Sequence, residues 1–396
     1  MRRTLIIAAA VILLVGIGVA VYFFFFAKPA VTTTPGTGLP VAGQGTPQTD
    51  TSKGGIITSP NTPVAVSPRL IQISVGPVAL GEMVINKAGN ASTSAETTVN
   101  YIDRQSGNIF SYNSSLKTTT RTSNKTIPGI QSASWLPNAS LAFVRYLSGT
   151  DSSTINTYGL PINGIGGFFL SQNLADVAVS STNILTLASG VNGSVVSLAN
   201  IDGTHSSQIF TTPLSSIRVS FAGKNQYLVY TKPSSVLQGD AFLVDTAGTF
   251  SRVFGPRTGL TALASPSGKW ILVSYSFNNT LQMVLVDTTT NEVLPLPIAS
   301  MTEKCVWSND DSVIYCGVPV DLPSGATYPD DWYQGAVHFS DRIWKIQVSG
   351  RYAQLVLDFT KETESSLDAE AFALDKLNTM LVFVNKNDLS LWSYSL

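Results

Sequence analysis

A repeat constrains this chain more than any other feature. Six nine-residue windows align without gaps: Leu136–Val144 (LPNASLAFV), Val179–Leu187 (VSSTNILTL), Phe221–Val229 (FAGKNQYLV), Ser265–Val273 (SPSGKWILV), Ser308–Cys316 (SNDDSVIYC) and Leu374–Val382 (LDKLNTMLV). Each is a short polar turn running into an apolar strand. Their starts lie 43, 42, 44, 43 and 66 residues apart. Four spacings therefore agree within two residues, and the fifth carries an insertion of about 23 residues into the period. A period of this length points to propeller blades, because one unit cannot bury its own apolar face and must stack on neighbours.

Most units add a second hairpin: Val195–Phe210, Phe242–Phe254, Leu281–Pro297 and Arg342–Leu357. Alternating or all-apolar strands flank turns rich in Gly, Asn, Asp and Thr, as hairpin chemistry requires. Each unit thus supplies four antiparallel strands. Thr98–Asn113 (TVNYIDRQSGNIFSYN) reads as the same second hairpin, which starts a first unit near Pro77 with Met83–Ile85 as its second strand. That predicts an all-β, seven-bladed β-propeller over residues 69–396; the weakly marked first unit leaves six or eight blades as alternatives. The last unit reaches only its third strand at Leu389–Leu396 (LSLWSYSL), while Arg69–Ser74 (RLIQIS) precedes the first unit without a partner. Pairing the two would close the ring and remove an exposed sheet edge. Helical periodicity is absent, and Gly, Pro or Asn interrupts nearly every apolar run.

Ser265-Pro266-Ser267-Gly268-Lys269 followed by Trp270–Val273 resembles the repeat of the TolB-like, or WD40-like (PD40), propellers, whose units carry a Ser-Pro-Asp-Gly-Lys turn before an apolar strand. Ser308–Ser312 keeps the turn chemistry, whereas Phe221, Val179 and Leu374 replace the first Ser. The resemblance covers residues 69–396 and implies a propeller. It does not imply one activity, since propellers bind, scaffold and catalyse.

Upstream, Thr4–Phe26 (TLIIAAAVILLVGIGVAVYFFFF) is 23 residues without a charge, long enough at about 1.5 Å per residue to cross a bilayer core of about 30 Å. Arg2 and Arg3 precede it and only Lys28 follows, so the positive-inside rule predicts a single-span anchor with the N-terminus cytoplasmic and the C-terminal domain extracytoplasmic. A cleaved signal peptide is the alternative, but its apolar region is normally shorter and ends in small residues rather than four Phe. No Cys follows to carry a lipid. Residues 27–68, rich in Thr, Pro and Gly and devoid of aromatics, cannot bury enough surface to order themselves and are expected to form a disordered linker. The whole layout also resembles membrane proteins of small-genome bacteria.

Blade topology puts the connections between strands two and three, and those between blades, on one rim. The long connections Lys87–Thr97, Lys232–Asp240, Gly317–Asp341 and Lys361–Ala371 are expected there, and long loops on a rigid scaffold are commonly functional. Gly317–Asp341 (GVPVDLPSGATYPDDWYQGAVHFSD) gathers aromatic rings and carboxylates. Tyr328, Asp330, Asp331, Trp332, Tyr333 and His338 are therefore the candidate ligand- or partner-binding residues, because Trp and Tyr bring large contact area at small entropy cost. The competing reading is that these rings form the loop's own small core. Calcium would be the natural ion for Asp330 and Asp331, but the spaced Asp pattern of a calcium loop is missing, and neither a metal nor a cofactor is expected.

Cys305 and Cys316 flank the Asp310-Asp311 turn symmetrically, so in a hairpin they face each other within disulfide range. Oxidation is permitted outside the cell; two buried free thiols are the alternative. With two His and two Cys in 396 residues, there is little material for a zinc site, and no nucleophile elbow, Walker loop or His-Glu-x-x-His sequence occurs. His205 reads as a solvated turn residue. Lys and Arg number 24 against 25 Asp and Glu, a net charge of −1, which excludes nucleic acid as a partner won by bulk charge. The expected function is a membrane-anchored, non-catalytic binding or scaffold module for an envelope protein or glycan. The alternative is an envelope hydrolase or lyase with carboxylates or a metal on the long-loop rim, since pairing of carboxylates is spatial. A purely structural surface protein is the third reading.

Overall fold

The computed structural model describes residues 63–87, 96–363 and 365–396. The expected anchor at 4–26 and most of the 27–68 segment lie outside the described residues, among which no helix is long and apolar enough to cross a membrane.

Seven antiparallel sheets follow one another along the chain. Blade 1 is formed by strands Met83–Lys87, Glu96–Ile102, Ile109–Asn113 and Thr118–Arg121. Blades 2 to 6 begin with first strands Ser132–Trp135, Leu174–Val179, Ile217–Ala222, Thr261–Ala264 and Cys305–Trp307. Blade 7 combines Ala369–Leu374, Met380–Asn385 and Ser390–Ser395 with the N-terminal strands Leu70–Ser74 and Val64–Ala65. Seven blades it is, and not six or eight. The first strands of successive blades touch one another in order, with the 3-10 turn Thr302–Lys304 linking blades 5 and 6 and the Leu80–Ser132 bridge linking blades 1 and 2.

Closure follows the expected pairing. Leu70, Ile71 and Gln72 lie opposite Tyr394, Ser393 and Trp392. Alternation across the strand sends Leu70 into the core between blades 6 and 7 and Ile71 and Ile73 into the core between blades 7 and 1. Each fully buried aliphatic side chain contributes about 1.5–3 kcal/mol, so this strand joins both neighbouring interfaces. The short Val64–Ala65 strand covers its outer edge and falls inside the segment read as linker.

Blade 1 departs from the sequence reading. Thr98–Asn113 supplies its second and third strands rather than its third and fourth; Met83–Lys87 is the first strand and Thr118–Arg121 the fourth. Asn86 Nδ2 donates to Asp375 Oδ2 at 3.0 Å, next to the turn after the first strand of blade 7. The fourth strand, TTTR, carries no apolar residue and gives no strand signal, whereas MVINK, read as a second strand, is the first. Lys87 therefore ends a first strand and Glu96 opens a second, so the Lys87–Thr97 connection is not one between second and third strands as expected; residues 88–95 lie outside the described residues. The other three long connections lie on the rim as expected.

Candidate functional site

The long loop Gly317–Asp341 builds its own core. Tyr328, Trp332 and Phe339 are each about 2% exposed and pack with Leu281, Met301 and Ala326. The Trp332 and Phe339 rings stack with centroids 6.2 Å apart, and Tyr328 Oη donates to the Pro323 carbonyl at 2.8 Å. A one-turn helix, Asp330–Tyr333, sits at the loop's centre. Asp330 Oδ2 accepts from Ser235 N at 3.0 Å and Ser235 Oγ at 2.6 Å, tying blade 6 to the 232–240 loop of blade 4. Asp331 Oδ2 accepts from Thr327 N at 2.7 Å. His338 is half-exposed, with Nδ1 4.0 Å from Asp368 Oδ2.

Of the six candidates, Tyr333 alone lines a cleft of about 490 Å³ between blades 3, 4 and 5. Its walls come from first strands that neighbour one another: Asp176 from blade 3, Arg218 and Val219 from blade 4, and Ala262 and Leu263 from blade 5. Tyr230 lies directly opposite Arg218 on the second strand of blade 4, and Glu303 comes from the 3-10 turn before blade 6. Because first strands start, and second strands end, at the long-loop rim, the cleft belongs to that face.

Arg218 Nη1 is 3.8 Å from Asp176 Oδ1. Tyr333 Oη hydrogen-bonds to Glu303 Oε1. Burial raises the Glu303 carboxyl above the usual carboxylate range, against the hydrogen bond from Tyr333 and the charge of Arg218. The Tyr333 ring is 40% exposed, yet packing around its hydroxyl, and then the Glu303 charge, push its phenol well up. Tyr230 is raised in the same way, by burial first and Glu303 next. One guanidinium, two carboxyl groups and two phenols thus converge beside an apolar wall, a mixture that can take an amide-, hydroxyl- or charge-bearing ligand.

Asp176, Arg218, Tyr230 and Glu303 are absent from the sequence reading. They come from three blades and carry no local motif; the one available signal was that each lies at the rim end of a repeat unit. Among the described residues no group of three or more His, Cys, Asp or Glu is placed to hold a metal ion. His205 stands in the turn between third and fourth strands of blade 3, on the face opposite His338, and hydrogen-bonds to Asn200 and Thr204. Cys305 and Cys316 lie opposite each other in blade 6, with Cα atoms 4.1 Å apart and sulfurs within bonding distance.

No family model and no curated protein matches the sequence. Solved structures do match. An oligogalacturonate lyase from Vibrio parahaemolyticus is similar at 8% identity and a TM-score of 0.56, covering 82% of this chain and 93% of that one. An oligogalacturonate lyase in complex with manganese gives 9% identity and 0.53, covering 80% and 98%. TolB from Acinetobacter baumannii matches at 10% identity and 0.42, covering 81% and 80%. At such identities the likeness to the two lyases shows the propeller fold alone.

Proposed function

We propose that this chain is a binding module, held at the membrane by residues 4–26 with its propeller outside the cytoplasm, and that an envelope protein or glycan seats in the long-loop-face cleft. The convergence of Arg218, Glu303, Tyr230 and Tyr333 on one rim of a rigid ring carries this reading. Arg and Tyr at the centre of a partly desolvated cleft are the residue types that dominate binding energy. The full chain, purified in detergent, would capture its partner from envelope extracts. Arg218→Ala is expected to weaken that binding by about 1–2 kcal/mol, roughly tenfold in Kd. Capture unchanged in both Arg218→Ala and Tyr333→Ala would refute the cleft as the binding site. Retention of the full chain in membranes after alkaline extraction, and its release without residues 1–27, tests the anchor.

One observation favours the second reading. A carboxyl raised by burial and hydrogen-bonded to a phenol suits a general acid, and Asp176 supplies another carboxylate in the same cleft. Turnover of an envelope polysaccharide that Glu303→Gln abolishes while binding survives would replace the binding module by a hydrolase or lyase.

A further inference from the structure

Beneath the long loop lies a buried group that the cleft does not use. Lys304, Asp341 and Asp368 are each 0–1% exposed. Lys304 ends the 3-10 turn before blade 6, Asp341 opens that blade's third strand, and Asp368 immediately precedes the first strand of blade 7. Lys304 Nζ is 2.7 Å from Asp341 Oδ2 and closer still to Asp368 Oδ1. The Trp332 and Phe339 rings close over it, each centroid 5.2 Å from Nζ. Asp368 Oδ2 accepts from Trp332 Nε1 and from Phe339 N, both at 2.9 Å. Asp341 Oδ2 also accepts from Ala369 N at 2.7 Å, whereas Asp341 Oδ1 is buried without a hydrogen-bond partner among the described residues.

We propose that Lys304 and Asp368 condense into an intramolecular amide bond, with Asp341 as the proton-transfer group. The arrangement supplies each requirement separately. The nucleophile and the electrophilic carboxyl are held in contact and dry, which replaces the entropy cost of bringing them together. Two N–H donors grip Asp368 Oδ2, the oxygen that becomes the amide carbonyl and bears charge in the tetrahedral intermediate. Oδ1, on the Lys304 side, is the leaving oxygen. Two carboxyl groups facing one ammonium in a buried site are neutral as a set when they hold one negative charge between them. The neutral set therefore holds four acidic protons, three on Nζ and one on the carboxyl pair.

The ground state favours the ion pair. Burial pulls the Lys304 ammonium down, but the Asp341 and Asp368 charges outweigh it and leave it raised. Burial also pushes Asp341 up to about 6, against the pull of Lys304, which narrows the gap that one Nζ proton crosses to reach the carboxyl pair and leave a neutral amine. The neutral amine then attacks Cγ of Asp368. The C–N bond forms, Asp341 relays the second Nζ proton to the leaving Oδ1, and the C–Oδ1 bond breaks to release water. The product is a neutral amide beside a protonated Asp341, and the proton count of the starting state is conserved without any co-reactant. The bond would tie the turn before blade 6 to the start of blade 7, across 64 residues.

Intact-mass measurement of the full chain, reduced and denatured, decides the matter. The expected mass is below the sequence mass by one water, about 18 Da, and digestion yields a branched peptide joining Lys304 to Asp368. Asp341→Asn and Lys304→Met are expected to keep the water. Full mass in the folded wild type overturns the proposal. So does a branched peptide at Asp341, or a water lost to a succinimide elsewhere, which fragmentation distinguishes from the cross-link. These wild-type readouts stand even if the variants do not fold.

Discussion

Glu82 shows what a single buried side chain does to this ring. It is 6% exposed, and neither carboxylate oxygen makes a hydrogen bond of good geometry among the described residues. Burial raises its pKa well above the usual carboxylate range and Glu370 adds to the rise, with only partial opposition from the backbone of Glu82 and Gly81. An acid whose folded pKa is raised binds its proton more tightly in the native state, so its stabilising share is complete below the unfolded pKa and is lost as pH rises through the folded pKa. Glu82→Gln is therefore expected to leave Tm unchanged near pH 4 and to raise it at pH 8, by about 1–2 kcal/mol of stability. A Tm difference independent of pH would show that ionisation is not the cause. At this scale the sequence was least legible. Asp330 and Asp331 looked like free ligands in the primary structure, yet their oxygens are taken by Ser235 and Thr327. Glu303 and Lys304 gave no sign, because their partners sit on other blades and only folding brings them close.

Elements were easier to read where their register is local. Cys305 and Cys316 are equidistant from a two-residue turn, and antiparallel pairing leaves them no other partner position. A disulfide here closes a segment with a sequence separation of 11, for which chain-entropy arguments give about 2–3 kcal/mol. Without reductant the protein is expected to resist alkylation at both Cys, and the Cys305→Ser/Cys316→Ser variant to lose about that stability. Alkylation of both residues in the folded, unreduced protein would establish free thiols instead. The long loop was legible as an insertion but not in its packing: sequence places Tyr328 and Trp332 beside carboxylates without saying that both rings turn inward. Blade 1 was misassigned for a different reason: its wholly polar fourth strand, TTTR, cannot be told from a loop, so Met83–Ile85 and the hairpin after it were each placed one strand too far out.

Over the whole molecule, the repeat period and the unpaired strand at the N-terminal end carried the fold. Stacked blades need a closed ring, and the three strands of the last blade between Ala369 and Ser395 are completed by chain from the N-terminal side of blade 1. Strand Leu70–Ser74 performs that closure, and Arg69 adds to it with Nε donating to the Ser395 carbonyl at 2.7 Å. The consequence is a sharp difference between two truncations. Removing residues 1–62 leaves every strand of blade 7 in place, so that protein is expected to stay folded and to melt as the full propeller domain does. Removing residues 1–75 strips two strands from the sheet, bares the edge of Ser390–Ser395 and uncovers Leu391 and Trp392, both now buried. It also takes Leu70, Ile71 and Ile73 from two blade interfaces, and losses of about 2–5 kcal/mol per deleted large aliphatic side chain exceed what a domain of marginal stability can absorb. That shorter protein is expected to aggregate or unfold, by size-exclusion chromatography and calorimetry. If it melted like the longer one, blades 1 to 7 would be holding one another without the closing strand. Closure would then come from the contacts between first strands around the axis rather than from the shared sheet.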